Sequence, residues 1–167
     1  MIEADRQKAS FAPVAKPDAR VLILGSLPGD RSLAERRYYA HPQNQFWRLV
    51  GAVIDRDLTA LPYDDRLTAL VAARIALWDV VATARRAGSS DAAIRDVAGN
   101  DLPALIATLP DLAAVAFNGA TSLAIGQRIL GNQFPQVARV ALPSSSPLHT
   151  IGVAAKLPTW LALKLFL

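Results

Sequence analysis

The sequence has no cysteine, only two histidines (His41 and His149) and a single methionine. Without cysteine there is no disulfide, no thiol nucleophile, no zinc site of the usual cysteine type and no cysteine-ligated iron–sulfur cluster. Two histidines make a histidine-rich metal site an unexpected reading, and neither metal nor cofactor is expected. Charge is also sparse. Charged residues make up 19% against 52% hydrophobic ones, which excludes the polar balance of a disordered chain. Long apolar runs are missing: the greasiest stretch, Leu102 to Ile125, is interrupted by Pro103, Pro110 and Asp111, so no membrane span is expected. The opening Met1-Ile2-Glu3-Ala4-Asp5-Arg6 lacks the apolar core of a signal peptide. The expectation is a soluble, cytoplasmic chain.

What is present is enough for one domain. The 167 residues suffice to bury roughly two-thirds of the unfolded surface. Residues 1–19, with mixed charges, Pro13 and Pro17, read as a lead-in, and 20–167 as the domain. The charge sum is 18 − 14 = +4, and 14 of the 18 cations are arginine. Arginine offers phosphate paired donors, so the surplus suits an anionic partner. A compositional habit of the source genome would produce the same surplus.

Short apolar runs end repeatedly at small or polar residues. Arg20–Gly25, Ile75–Trp78, Ala113–Phe117 and Val137–Leu142 each suit a strand buried on both faces. Between them lie helical spacings: from near Asn44 to Ile54, over Asp65–Ala73, from Asp101-Leu102-Pro103 onward, after Asn118-Gly119 to Leu130, and over Gly152–Phe166. Asp101 suits the cap of its helix and Pro103 its first turn. Strands alternating with helices predict a three-layer α/β sandwich around a central parallel sheet of four strands. In such sheets ligands bind beyond the carboxyl ends of the strands. Gly25–Asp30, Asp79, Asn118-Gly119 and Pro143–His149 all follow strands, so the fold would gather them into one cleft.

Gly25-Ser26-Leu27-Pro28-Gly29 has glycines that let backbone amides approach an anion. It matches neither a P-loop nor a dinucleotide fingerprint, and a tight turn is the alternative. Tyr38-Tyr39-Ala40-His41-Pro42-Gln43-Asn44-Gln45-Phe46-Trp47 crowds aromatic, imidazole and amide groups ahead of a helix. Aromatic faces beside amides suit a pocket for a flat nucleobase, although Asn44 alone would serve as a helix cap. Pro143-Ser144-Ser145-Ser146-Pro147-Leu148-His149 lacks the G-x-S-x-G elbow of a serine hydrolase. It fits gripping a phosphate backbone better, with Leu148 as an apolar wedge and His149 as a donor. Asp79 and Asn118 end strands, as candidate readers of a ligand edge or as caps of the next turn. Arg85 and Arg86 are candidate phosphate contacts, with a solvated loop as the alternative.

Taken together and in this order, these segments, with Leu77-Trp78-Asp79-Val80-Val81 and Arg86-Ala87-Gly88-Ser89, resemble the uracil-DNA glycosylase superfamily. They are most similar to its deoxyinosine (hypoxanthine) branch and its mismatch-specific relatives. The resemblance covers about Val21 to His149. It implies a parallel four-stranded sandwich that flips a deaminated base from DNA and hydrolyses its N-glycosidic bond. Uracil-specific members carry an Asp or Asn at the third position of the first motif to orient water; here that position is Leu27. The water therefore falls to Asn44, with His149 as a donor near the departing base. The base pocket would comprise Gly25, Ser26, Leu27, Pro28, Gly29, Tyr39, His41, Phe46, Asp79 and Asn118, with Phe46 where mismatch-specific members stack the base. Asp79 stands where uracil enzymes use Asn, and an ionised carboxylate accepts from the N1–H of hypoxanthine. DNA contacts would come from Ser144, Ser145, Ser146, Leu148, Arg85 and Arg86. The expected partner is double-stranded DNA with a damaged base, single strands remaining open, bound by a monomer. No lysine in these motifs is available for a Schiff base, which implies a monofunctional enzyme. Two other classes stay open: a non-catalytic nucleic-acid-binding module of the same fold, and a small serine hydrolase.

Overall fold

A computed structural model describes residues 7–167. Its centre is a parallel sheet of β2 (Val21–Gly25), β3 (Ile75–Asp79), β6 (Ala114–Asn118) and β7 (Ala138–Leu142), in the order β3-β2-β6-β7. The four predicted strands are these, shifted by at most one residue at either end. β2 is buried at every position, so it has no polar face, as its unbroken Val-Leu-Ile-Leu run demands. Successive side chains leave a strand on opposite faces. Val21 and Ile23 enter one core with Phe46, Leu49, Leu70 and Trp160. Leu22 and Leu24 enter the other with Val115, Phe117, Leu102 and Ile106. Helices α2 (Phe46–Val53), α3 (Tyr63–Ala72) and α6 (Val153–Leu161) cover the first face; α4 (Leu102–Ala107) and α5 (Ala120–Leu130) cover the second. This is the three-layer sandwich. Asp101 caps α4 as expected, its Oδ1 accepting from Ala104 N at 3.1 Å.

Four elements, one helix and three strands, have no counterpart in the sequence reading. α1 (Asp30–Glu35) is a short helix with no apolar stripe. β1 (Gln7–Ala9), β4 (Val81–Arg85) and β5 (Arg95–Gly99) form a second, antiparallel sheet in the order β1-β4-β5. β5 is exposed along its whole length, so burial imposed no period-2 alternation on it. Residues 1–6 of the lead-in lie outside the described residues. Over 7–19 it is tied down, because β1 pairs with β4, Val14 bridges Leu77, and Phe11 packs edge-on against Tyr38. The bridge at Val14 covers the outer edge of β3, an edge that would otherwise present unpaired backbone.

The topology positions the site. From β2 the chain crosses to β3 on one side, then to β6 on the other, so strand order reverses between β2 and β6. Crevices at such reversals take ligands. Parallel register puts Gly25 beside Asp79, and Asn118 beside Leu142. All lie at carboxyl ends. Among the described residues no helix is long and apolar enough to cross a membrane.

Candidate active site

A cleft of about 580 Å³ opens over these strand ends. Its walls are the loop 25–29, the segment from Tyr38 to Asn44, residues 89–92, the start of α5, and the loop 144–149. Five stretches far apart in sequence meet here. Of the expected site residues, Gly25 to Gly29, Tyr39, His41, Asn44, Asp79, Asn118, Ser144, Ser145, Ser146, Leu148 and His149 all line it.

Three expectations, those for Arg86, Phe46 and Ser145, are corrected by burial. Arg86 is fully buried and out of reach of a phosphate. Its guanidinium donates to the main-chain oxygens of Leu27 (3.3 Å), Gly88 (3.0 Å) and Pro28. It is an internal prop under the glycine loop, and Asp91 stands 3.7 Å from its Nη1. Arg85 lies on β4, exposed and paired with Asp96 at 3.6 Å, away from the cleft walls. Phe46 is wholly buried. It stacks on Tyr39 with 3.9 Å between ring centroids and meets Trp47 and Trp160 edge-on. Of this stacked pair, the ring that reaches the cleft is Tyr39, with Phe46 backing it.

Tyr39 takes a left-handed backbone, φ 53°, uncommon for a bulky residue and a sign of a constrained site. Its phenol oxygen accepts from Asn118 Nδ2 at 3.1 Å. Asn118 Nδ2 also donates to Ser145 Oγ (2.9 Å), and Asn118 Oδ1 accepts from Ser145 N (2.9 Å). Both amide hydrogens of Asn118 are thus committed to the protein. Ser145, 1% exposed, is likewise buried and is corrected from a phosphate contact to an internal anchor of its loop. Gly25 is needed where these groups converge. A Cβ there would lie 2.5 Å from Asp79 Oδ1 and 2.7 Å from the Tyr39 hydroxyl.

Asp79 is 3% exposed, and its Oδ2 has no hydrogen-bond partner. Burial first, then the carboxylate of Asp91, pushes its pKa up to about 7, against the pull of Arg86. Burial likewise raises the Tyr39 phenol, reinforced by Asp79. Asp91 itself is raised by burial, while the hydroxyl of Ser26, donating at 2.7 Å, and the Arg86 charge hold it down.

On the opposite wall Asn44 is half-buried just ahead of α2. Its Oδ1 accepts from Phe46 N at 3.0 Å, and its backbone N–H donates to His41 O at 2.9 Å. Nδ1 of His41 accepts from Gln43 N at 3.1 Å, so a neutral His41 carries its proton on Nε2. The last loop is stiffened by its own hydroxyls. Ser144 Oγ accepts from Ser146 N (3.1 Å) and Ser146 Oγ from Leu148 N (3.2 Å). Leu148 nevertheless stands 68% exposed at the lip.

Two residues absent from the sequence reading organise this wall and its opposite. Asp91 enters from a single 3-10 turn, Asp91–Ala93, between β4 and β5. Lys156 on α6 is fully buried and donates to Gln45 Oε1 (2.8 Å) and Ser146 O (3.2 Å). Burial lowers its pKa. It ties the last loop to the residue beside Asn44, a link doubled by Gln45 N donating to Ser145 O at 2.9 Å. The available signal was a lysine four residues before Trp160, on one face of a helix.

Comparison with known proteins agrees with this geometry. The family model described as the uracil DNA glycosylase superfamily matches residues 12–164. A hypoxanthine DNA glycosylase of Methanosarcina barkeri is 44% identical over 116 residues, 70% of this chain and 73% of that protein. One from Methanosarcina acetivorans is 42% identical over 112 residues, 67% and 71% of the two chains. A solution NMR structure of a Methanosarcina acetivorans protein, described as a candidate uracil DNA glycosylase, superposes with a TM-score of 0.84 at 34% identity. The match covers 95% of this chain and 97% of that one.

Proposed function

The chain belongs to the uracil DNA glycosylase superfamily and is a DNA glycosylase, and from that premise we propose that it excises a deaminated base, hypoxanthine foremost. Uracil and xanthine are secondary substrates in this reading. The observation that carries it is Asp79 at the base of the cleft, where a damaged base would present its edge to a carboxyl rather than to an amide. The names of the two Methanosarcina relatives support the same choice.

The chemistry needs a flipped base held by its edge, a water at C1′ and stabilisation of the charge that separates. Leu27 is 6% exposed and packs into the second core, so it orients no water. We assign that role to Asn44. Its Oδ1 is fixed by the Phe46 amide, and a carbonyl oxygen keeps a second lone pair for the water. Tyr39, backed by Phe46, supplies the flat face against which the base rests. His149 stands on the last loop as a donor to a phosphate or to the departing base, and Ser144 and Ser146 face the backbone of the strand. Leu148 fills the vacated stack. No lysine is among the cleft-lining residues, and Lys156 is buried and engaged. This supports release by water rather than by an enzyme amine, hence a monofunctional enzyme. We take the substrate to be duplex DNA, the enzyme to act as a monomer and its place to be the cytoplasm.

The test is a duplex carrying one deoxyinosine, incubated with the protein and then treated with alkali. Cleavage at that position only after alkali is expected, and an Asn44→Ala variant should lose about a hundredfold or more in single-turnover rate. An intact strand for every deaminated base would overturn the reading. A fully active Asn44→Ala would overturn the assignment of the water.

A further inference from the structure

Among the described residues, Asp79 Oδ2 is a buried side-chain oxygen that no hydrogen bond reaches. The groups around its carboxyl come from four directions. β2 brings Gly25, which has no side chain to offer. The segment before α2 brings Tyr39, with Tyr38 behind it. The 3-10 turn brings Asp91, and the chain just after β4 brings Arg86. His41 and His149 line the same cleft.

This surrounding does not compensate a second negative charge. Arg86 is committed to three main-chain oxygens and stands beside Asp91. Asp91 also takes the hydroxyl of Ser26. Asp91 is therefore the carboxylate whose charge the site supports. Two close carboxyl groups with one set of compensating donors favour a single negative charge shared between them. A dry, unbonded carboxylate oxygen is costly, whereas a carboxylic acid turns the same site into a donor. A flipped base entering the cleft displaces water and strengthens that preference.

We propose that Asp79 meets the flipped base as a carboxylic acid and gives its proton to the lactam oxygen of the departing base. The inference rests on the glycosylase reading of the cleft and adds a catalytic residue to it. A carboxylic acid matches a lactam edge doubly: its O–H donates to O6 of hypoxanthine, and its carbonyl oxygen accepts from N1–H. As the N9–C1′ bond breaks, its electron pair enters the purine and spreads to O6. The proton of Asp79 follows that charge, and the base departs neutral as its hydroxy tautomer. The oxygen of water bonds to C1′, and the proton that water sheds restores the acid at Asp79. Nothing is oxidised or reduced, and no other co-reactant is required. The Asp91 carboxylate keeps the proton on Asp79 until the leaving group calls for it. An acid whose pKa lies near 7 is matched to that task at neutral pH.

The experiment is single-turnover release of hypoxanthine from a deoxyinosine duplex between pH 6 and 9, with the wild-type protein and D79N. Asparagine keeps the shape and can hydrogen-bond, but it has no proton to transfer. The wild-type rate is expected to fall about tenfold per pH unit above neutrality. D79N is expected to be flat over the range and about a hundredfold slower at pH 6, the two profiles converging near pH 9. A flat wild-type profile overturns the inference, as does a D79N protein with the wild-type rate, or one in which the descending limb persists. Circular dichroism checks that D79N is folded; should it not be, the wild-type profile decides alone. Release of hypoxanthine with no pH dependence removes only the role of Asp79. No release at any pH removes the glycosylase reading itself.

Discussion

At the residue scale the unusual feature is a carboxyl group almost wholly withdrawn from solvent at the base of the cleft. The consequence extends to stability. Burial and Asp91 raise Asp79 from its usual 3.8 to about 7, so between these values the folded protein holds a proton that the unfolded chain releases. The stabilisation from Asp79 is complete below about pH 4 and is lost as pH rises through 7. Each tenfold in proton affinity is worth about 1.4 kcal/mol, which sets an upper bound near 4 kcal/mol. D79N removes the ionisation. It should therefore melt several degrees higher than the wild type at pH 8, with the advantage gone by pH 4. Thermal denaturation across that range checks it, and a wild-type Tm that is higher at pH 8 than D79N would contradict the burial argument. At this scale much of the site was legible. Asp79, Asn44 and His149 stood out because polar residues at strand ends and before a helix have few structural reasons to cluster. Arg86 and Phe46 were misread because sequence shows which groups are present, not which way they face. An arginine that donates to three backbone oxygens looks in sequence like any other basic loop residue.

At the scale of elements, the last loop is held by a buried lysine rather than by an ion pair. Lys156 links Gln45 on one side to Ser146 on the other, and burial alone disfavours its charge. Replacing a buried charge by an apolar side chain of similar length is often neutral or stabilising. Here it leaves the Gln45 amide oxygen and the Ser146 carbonyl short of a donor, at about 1–3 kcal/mol. Lys156→Met should therefore change Tm by only a few degrees in either direction, yet lower the excision rate, because the loop and Asn44 lose their common anchor. The check is a melting curve beside single-turnover kinetics. A large fall in both would mean that Lys156 serves the fold rather than the site. The parallel strands were legible for the reason the lysine was not. Four short apolar runs ending at Gly, Asp, Asn or before Pro143 have one economical reading, whereas the antiparallel sheet includes a strand, Arg95–Gly99, that is exposed throughout. Its pairing is set by the backbone and by the turn that delivers Asp91, and no apolar alternation records it.

At the scale of the whole molecule, the protein meets DNA with a charge of only +4, and one candidate cation, Arg86, is spent inside the fold. Attraction to DNA is therefore modest, and in the function proposed above the work of base flipping falls on shape. Leu148 is the side chain suited to it. It is 68% exposed, yet it sits on a loop fixed by Ser144 and Ser146 on its outer side and by Asn118, Gln45 and Lys156 beneath. An apolar group that is solvent-exposed on a rigid support contributes nothing to the core, so trimming it leaves stability unchanged. Its value would appear only when a base leaves the stack and an apolar body takes its place, which offsets part of an unstacking cost of a few kcal/mol. In a single strand there is no opposite base and little stack to restore. Leu148→Ala should accordingly slow hypoxanthine release from a fully paired duplex by about tenfold, with little change on a single-stranded substrate of the same sequence. Parallel single-turnover assays on the two substrates measure the difference. An equal loss on both would place Leu148 in the base pocket rather than in the stack, and no loss on either would leave the flipped state to be held by the cleft alone.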